Sequence, residues 1–493
     1  MVNMLHKMSF TSLIARVLTL WTKPNGYRAV LVISLPLVVS MGSHTLMLFT
    51  DRLFLSRYSV DSIAAATPAG LLAFMFMCFF TGVVGFANTL IAQSVGAGMK
   101  EQVARSLWQA VYFALFAGII LAALSFSGDT FFRWAGHSAT VRAQENIYFS
   151  ILMRGAIFAL LHDALACFYS GQGLTRPIMF INLAGVLINI PLDYCLIYGV
   201  GGFPEMGIEG AAIATILGHV LMLALFILLV FSRKNNLAYG IWRGRAFNLQ
   251  LFGKLVKYGV PAGIQFFVDI FAFTYFLLII GRIGRDELAA TNIAFAINSL
   301  AFMPMIGFSI AASSLVGQAI GRGKPEEAVT ATKSSLFLTV GYMWVVAAFF
   351  VFFPDILCGI FRSSPADPAA DANVQAMAAV LLRFVAFYSL VDGLNVIYSG
   401  ALKGAGDTAF IGWTILALSL GLIIVPVTLA VIVFRAGLYT AWTFASLYVC
   451  ALAGAFWWRF RQGKWKTMRV MEPHPAAGNI VLARPEIPGA EEL

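Results

Sequence analysis

The feature that most constrains this chain is a series of apolar runs, each about 20 residues or longer, joined by short polar segments. They lie near 28–50, 62–92, 107–125, 147–170, 176–199 and 207–231, then 254–280, 288–318, 333–354, 376–400, 408–432 and 437–460. Runs of that length match the thickness of a bilayer, and twelve of them are too many for one soluble core. The composition agrees, with 60% hydrophobic and only 11% charged residues, where a soluble domain carries about a quarter charged. The short alternating segments of a membrane barrel are absent. The expectation is an all-α membrane protein with twelve transmembrane helices, the second and eighth long enough to contain a bend.

The net charge of +10 is distributed as a membrane topology rather than as a nucleic-acid surface. With both termini on one side, the termini and even-numbered joints hold 23 of the 33 Lys and Arg residues, and the odd-numbered joints hold 8. Only Arg154 and Arg383 fall within helices. The positive-inside rule then makes both termini cytoplasmic in a multi-pass inner-membrane protein. Residues 1–27 lack the small-residue cleavage site of a signal peptide and read as a cytoplasmic lead-in. Residues 232–253, with their basic stretch 233–245, read as a cytoplasmic linker against anionic headgroups. Residues 461–493 read as a disordered cytoplasmic tail.

The two halves are copies of one unit. A shift of 225 positions lays Pro36 on Pro261, Asp61 on Asp286, Gly82 on Gly307 and Leu90 on Leu315. AQSVGAGMKE (92–101) overlies GQAIGRGKPE (317–326), and GIEGAAIATIL (207–217) overlies GLYTAWTFASL (437–447) at a shift of 230. Six is even, so the two units run in the same direction and an axis along the membrane normal relates them. The expected architecture is two pseudo-symmetric six-helix lobes, 28–231 and 254–460, forming a V around a central cavity. A secondary transporter is the leading class, although a channel or structural protein can also be duplicated.

Ionisable groups inside such helices cost about 2.5–3.5 kcal/mol each on insertion scales, so they normally face a cavity or a partner. His44 and Asp51 are seven residues apart, on nearly one face of the first helix. Asp51 also stands at the helix end beside Arg52, where it can simply mark the wet boundary. Asn189 and Asp193 share a face around Pro191, which frees a backbone carbonyl. That trio suits a hard cation or a proton, and equally a proline-kinked helix with satisfied polar groups. In the second half, Gln265 lies one turn before Asp269, while Tyr388 and Asn395 flank Asp392. A carboxylate in a cavity without a basic partner can carry a proton, and each of these can also be an interhelical acceptor. The repeat lays His44 on Asp269 but Asp51 on Phe276, so the halves differ where the chemistry lies. Arg154 and Arg383 either snorkel or pair elsewhere, and His162, beside Asp163, reads as interfacial.

No Walker GxxxxGK[ST], G-x-S-x-G or HExxH motif is present, which argues against an ATP-driven pump and against common hydrolases. The five cysteines are scattered, without a CxxC pair or a Cys/His cluster, and read as apolar filler. No cofactor is expected.

In order and in doubling, these motifs resemble the multidrug and toxic compound extrusion (MATE) transporters of the MOP exporter superfamily. The resemblance covers about residues 28–460 and rests on Pro36 to Asp51 with IAAATPAG, AQSVGAG, and SGQGLTRPIMFINLAGVLINIPLDYCLIYG. In the second half it rests on GVPAGIQFFVD, LAATNIA, GQAIGRGKPEEA and DGLNVIYSGALKGAGDT. It implies a secondary antiporter that exports organic cations or amphipathic drugs in exchange for H⁺ or Na⁺ by alternating access. It further implies an N-lobe cation site at Asp51, Asn189, Asp193 and Thr215, where Na⁺ is possible, and coupling or substrate residues Asp269 and Asp392 in the C-lobe. Asp269 departs from the Glu of the NorM-like branch, while the N-lobe acids are DinF-like. His44, Met47, Gln265, Phe266, Tyr388 and Asn395 are candidates for the cavity wall. The expected partners are small cationic substrates and the bilayer, with no nucleic acid, and a monomer is expected. The rivals are a lipid-linked oligosaccharide flippase of the same superfamily and a membrane-bound transferase.

Overall fold

The computed structural model describes residues 21, 23–135, 138–361 and 368–471. Most of the lead-in 1–27 and the tail beyond 471 lie outside the described residues. Among the described residues, twelve helices are long and apolar enough to cross a membrane. They are α1 (Tyr27–Tyr58), α2 (Asp61–Gly96), α3 (Lys100–Arg133), α4 (Ala139–Gln172), α5 (Arg176–Tyr198) and α6 (Ile208–Val230). The second set is α7 (Leu249–Ile280), α8 (Arg285–Gly321), α9 (Pro325–Phe352), α10 (Ala372–Ala405), α11 (Thr408–Val433) and α12 (Leu438–Gln462). Helices are the form in which an apolar chain satisfies its own backbone without water. Large apolar side chains such as Leu228, Phe349 and Trp413 stand on the outer surface, as lipid contact requires.

The helices overrun the apolar windows, because their ends are polar and pass beyond the hydrocarbon. The α2 ladder breaks at Phe86, giving the bend expected there. In α8, by contrast, the helix is continuous from end to end with Pro304 inside it. In α11 the ladder widens around Pro426, where Phe434 N–H donates to Leu429 O five residues back.

Two lobes of six helices meet where α1 packs on α8 and α2 on α7. Phe74 meets Phe266 edge-on at 6.2 Å, and Gly82 abuts the backbone of Gly263. The approach is closest where α2 and α8 end, on the side that carries the described chain ends. There Gly96 lies against the Gln318 carbonyl and Gly321 against that of Gln93, so the repeated sequences meet each other around the pseudo-two-fold axis. Gln93 donates across this seam to Gly404 O at 3.1 Å, and Gln318 donates back to Gly171 O at 3.0 Å.

Residues 461–471 were expected to begin a disordered tail, and here the structure differs. They fold over the seam. Trp465 is fully buried, stacks on Phe460 at 4.7 Å and donates its indole N–H to Phe460 O. The amides of Val470 and Met471 donate to Gln93 Oε1 at 3.0 and 3.2 Å, and Lys254 Nζ donates to Val470 O at 2.7 Å. A tryptophan with a full stacking partner anchors the segment, which the Pro, Ala and Glu content farther on obscures. Trp465→Ala removes about 3–5 kcal/mol of packing, so trypsin is expected to cut at Lys464, Lys466 and Arg469 much faster than in the parent. Equal cleavage rates would show that the segment is not held by this contact.

The 232–253 segment is also ordered. Its backbone at Ile241, Arg245 and Ala246 accepts from Trp108, Tyr112 and Gln109 of α3.

Candidate functional site

The acids sort into one cluster per lobe. In the N-lobe, Asp51 turns inward and is only 5% exposed, whereas Arg52 points outward. Tyr148 of α4 covers Asp51 and donates to its Oδ2 at 3.2 Å. From α5, Asn189 and Asp193 are fully buried while Pro191 between them is exposed, as their spacing requires. Asp51 and Asp193 lie within electrostatic reach of one another. On α6, Gly218 lets the helix approach the Asn189 side chain, and Thr215 is half-buried with its carbonyl accepting from His219 Nδ1 at 2.9 Å.

Five polar atoms in this cluster have no hydrogen-bond partner among the described residues: Asp51 Oδ1, both Asp193 oxygens, and both amide atoms of Asn189. A buried polar group left unmatched costs about 1–3 kcal/mol, and more when charged. A folded chain does not keep such a group of atoms for stability alone. Four of the five are oxygens, a donor set suited to a proton or a hard cation.

The C-lobe fills the equivalent space differently. Phe276, at the position of Asp51, is buried against Trp442 and Phe295. Thr428, which overlies Asp193 when Pro426 is laid on Pro191, pairs with the Tyr275 hydroxyl at 2.6 Å. The C-lobe acids therefore lie elsewhere. Asp269 of α7 accepts from Tyr448 at 3.4 Å, and Ser419 donates to that tyrosine at 3.0 Å. Gln265 is buried one turn away with its Oε1 unpartnered. Asn395 donates to Asp392 at 2.9 Å, and both Tyr388 and Asp269 lie within reach of Asp392.

Several placements correct the sequence reading. Met47 is 1% exposed and packs in the N-lobe core, so it does not line the cavity. It lies on the same buried stripe as Ser40, Ser43 and Asp51. His44 is exposed, with His162 and Asp163 within electrostatic reach. His162 is not interfacial: it is buried and bonded to both Asp163 and Asn182. Arg154 bonds Ser125 Oγ and lies over the Phe126 ring. Three participants escaped the sequence reading, namely Tyr148, Tyr448 and Lys403, which lies within electrostatic reach of Asp269. The tyrosines act across helices and leave no spacing to read. Lys403, near the end of α10, counts from sequence as one more charge at the membrane boundary.

Two lobes that face each other and bury acids within the membrane-spanning helices suit a membrane transporter. The chain belongs to the MatE family, whose model matches residues 36–195 and 261–432. It is similar to the probable multidrug resistance protein NorM of Rhizobium meliloti, 29% identical over 429 residues, covering 86% of this chain and 87% of that protein. It is also similar to the multidrug resistance protein PmpM of Pseudomonas aeruginosa, 28% identical over 389 residues, covering 77% and 79%. Among solved structures, a MOP superfamily transporter from Pyrococcus furiosus superposes with a TM-score of 0.81 at 21% identity, covering 92% of this chain and 98% of that one. The eukaryotic MATE transporter AtDTX14 superposes at 0.80 with 18% identity, covering 90% and 98%.

Proposed function

We propose that this chain is a secondary antiporter of the inner membrane, exporting organic cations or amphipathic drugs in exchange for H⁺ or Na⁺. The unpartnered oxygens of Asp51, Asn189 and Asp193 carry this reading, since exchange requires a buried site that a small cation can enter and leave. The multidrug resistance names of its relatives support the substrate class. The asymmetry of Lys and Arg supports cytoplasmic termini. In that orientation the seam closes the cytoplasmic side, and the cleft between the lobes opens outward. Asp269 and Asp392 hold the cationic substrate beside Gln265, Phe266, Tyr388 and Asn395. An ion bound in the N-lobe shifts the population of the two lobe arrangements by its differential affinity for them, and the drug leaves. The protein acts as a monomer with its own pair of lobes.

The test is ethidium transport by the purified protein in proteoliposomes, first under an imposed Na⁺ gradient and then under an H⁺ gradient. Efflux driven by one of the gradients and abolished by its collapse is expected. Dye movement indifferent to both gradients would overturn the antiport reading.

A further inference from the structure

About 10 Å from the acid cluster along α5, toward the seam, lies a second polar group that the scheme above does not use. Its centre is His162 of α4. Both ring nitrogens face oxygen atoms: Nδ1 is 3.1 Å from Asp163 Oδ1, and Nε2 is 2.9 Å from Asn182 Oδ1. The amide of Asn182 is oriented by its other end, where Nδ2 donates to Ser40 Oγ of α1 at 2.6 Å. Asp163 Oδ2 accepts from Thr81 of α2 at 3.4 Å.

A neutral imidazole has one N–H and one lone pair, so two oxygens leave one nitrogen facing an acceptor without a proton between them. The imidazolium satisfies both contacts and has Asp163 as its counter-charge. With Asp163 ionised, the neutral ring fits only if Asn182 turns its amide over. Nδ2 then donates to Nε2, and Oδ1 accepts from the Ser40 hydroxyl. The same four side chains thus make two complete hydrogen-bond patterns that differ by one proton.

We propose that His162, with Asp163 and Asn182, is a second proton-binding site of the N-lobe, distinct from Asp51, Asn189 and Asp193. H⁺ adds to Nε2, Nδ1–H continues to donate to Asp163, and release restores the neutral ring with the amide reversed. Only the N–H bond forms and breaks. The Asp163 side chain is 34% exposed, and water that reaches it is the proton source. The other titratable neighbours are His219 from α6, at 6.2 Å between rings, and His44 from α1. Cys167 of α4 and Cys78 of α2 lie within reach of Asp163, and Cys78 also senses Asp269 across the cleft. Because Ser40 and His44 share α1 with Asp51, the two proton states hold different contacts on the helix that carries the first acid.

The use of this proton in exchange rests on the antiport reading, whereas its binding does not. The binding test is ¹⁵N NMR of the histidine-labelled, full-length protein in detergent. Under mildly acidic conditions, a signal from a ring with both nitrogens protonated is expected that is absent in His162→Gln and converted to a neutral tautomer in Asp163→Asn. A His162 ring in one neutral tautomer under these conditions would overturn the proposal. In proteoliposomes, His162→Gln is expected to slow H⁺-driven ethidium efflux by about tenfold or more, with equilibrium dye binding retained. Efflux at the parent rate would remove this proton from the exchange. A parent protein inert to both gradients would instead sink the antiport reading and leave the NMR result to stand alone.

Discussion

Asp193→Asn is expected to reduce ion-driven efflux by about 100-fold or more, equivalent to ~2.7 kcal/mol of lost coupling, while the protein still inserts and folds. The reasoning starts from shape. Asn replaces Asp almost isosterically, and neither carboxylate oxygen of Asp193 has a partner to lose among the described residues. Packing around the fully buried side chain is therefore preserved, and the thermal midpoint in detergent should not fall. What disappears is the negative charge on which an exchanging cation acts. A ligand shifts an equilibrium only by its differential affinity for the two states, and an amide at this point offers H⁺ no site and Na⁺ a much weaker one. Asp51→Asn should act in the same direction with a smaller loss, because Tyr148 already engages one of its oxygens. Proteoliposome efflux under the driving gradient decides the matter, and transport by Asp193→Asn at the parent rate would take the N-lobe cluster out of the mechanism.

How much of this was legible in the sequence depends on whether a feature is local. The twelve helices were, because length and apolarity are properties of a single run. The pairing of Asn189 with Asp193 was also legible, since i, i+4 spacing fixes a shared face, and the burial of both confirms it. Contacts between helices were not. Tyr148 reaches Asp51 from 97 positions away, and no pattern within α1 or α4 announces it. Met47 fails for a related reason. It stands one turn before Asp51, which places the thioether on the stripe that packs into the lobe. His162 was read as a single residue beside Asp163, and its meaning comes from Asn182 on the next helix. The repeat aligned AQSVGAG with GQAIGRG, yet an alignment does not say that two copies touch. The pseudo-two-fold axis makes them do so.

That contact gives the second large effect. Gly96→Val and Gly321→Val are each expected to open the seam and to reduce transport by about tenfold or more, because overpacking costs about 1–3 kcal/mol per site. A Cβ at Gly96 would lie 2.0 Å from the Gln318 carbonyl oxygen, and one at Gly321 would lie 2.1 Å from that of Gln93. The obstacle is backbone in both cases, so no side chain can swing aside, and the helices themselves must separate. Separation also strains the reciprocal bonds from Gln93 to Gly404 O and from Gln318 to Gly171 O. Against two states of nearly equal energy, even ~1.4 kcal/mol shifts the population tenfold. The two variants should act alike, since each blocks one half of a symmetric contact. Gly341→Ala is the control: it lies mid-helix in α9 with open space around it and should be neutral or slightly stabilising. Spin-label distances between the ends of α2 and α8 report the outcome. A distance distribution unchanged in either glycine variant would show that the seam does not set the balance between the two arrangements of the lobes.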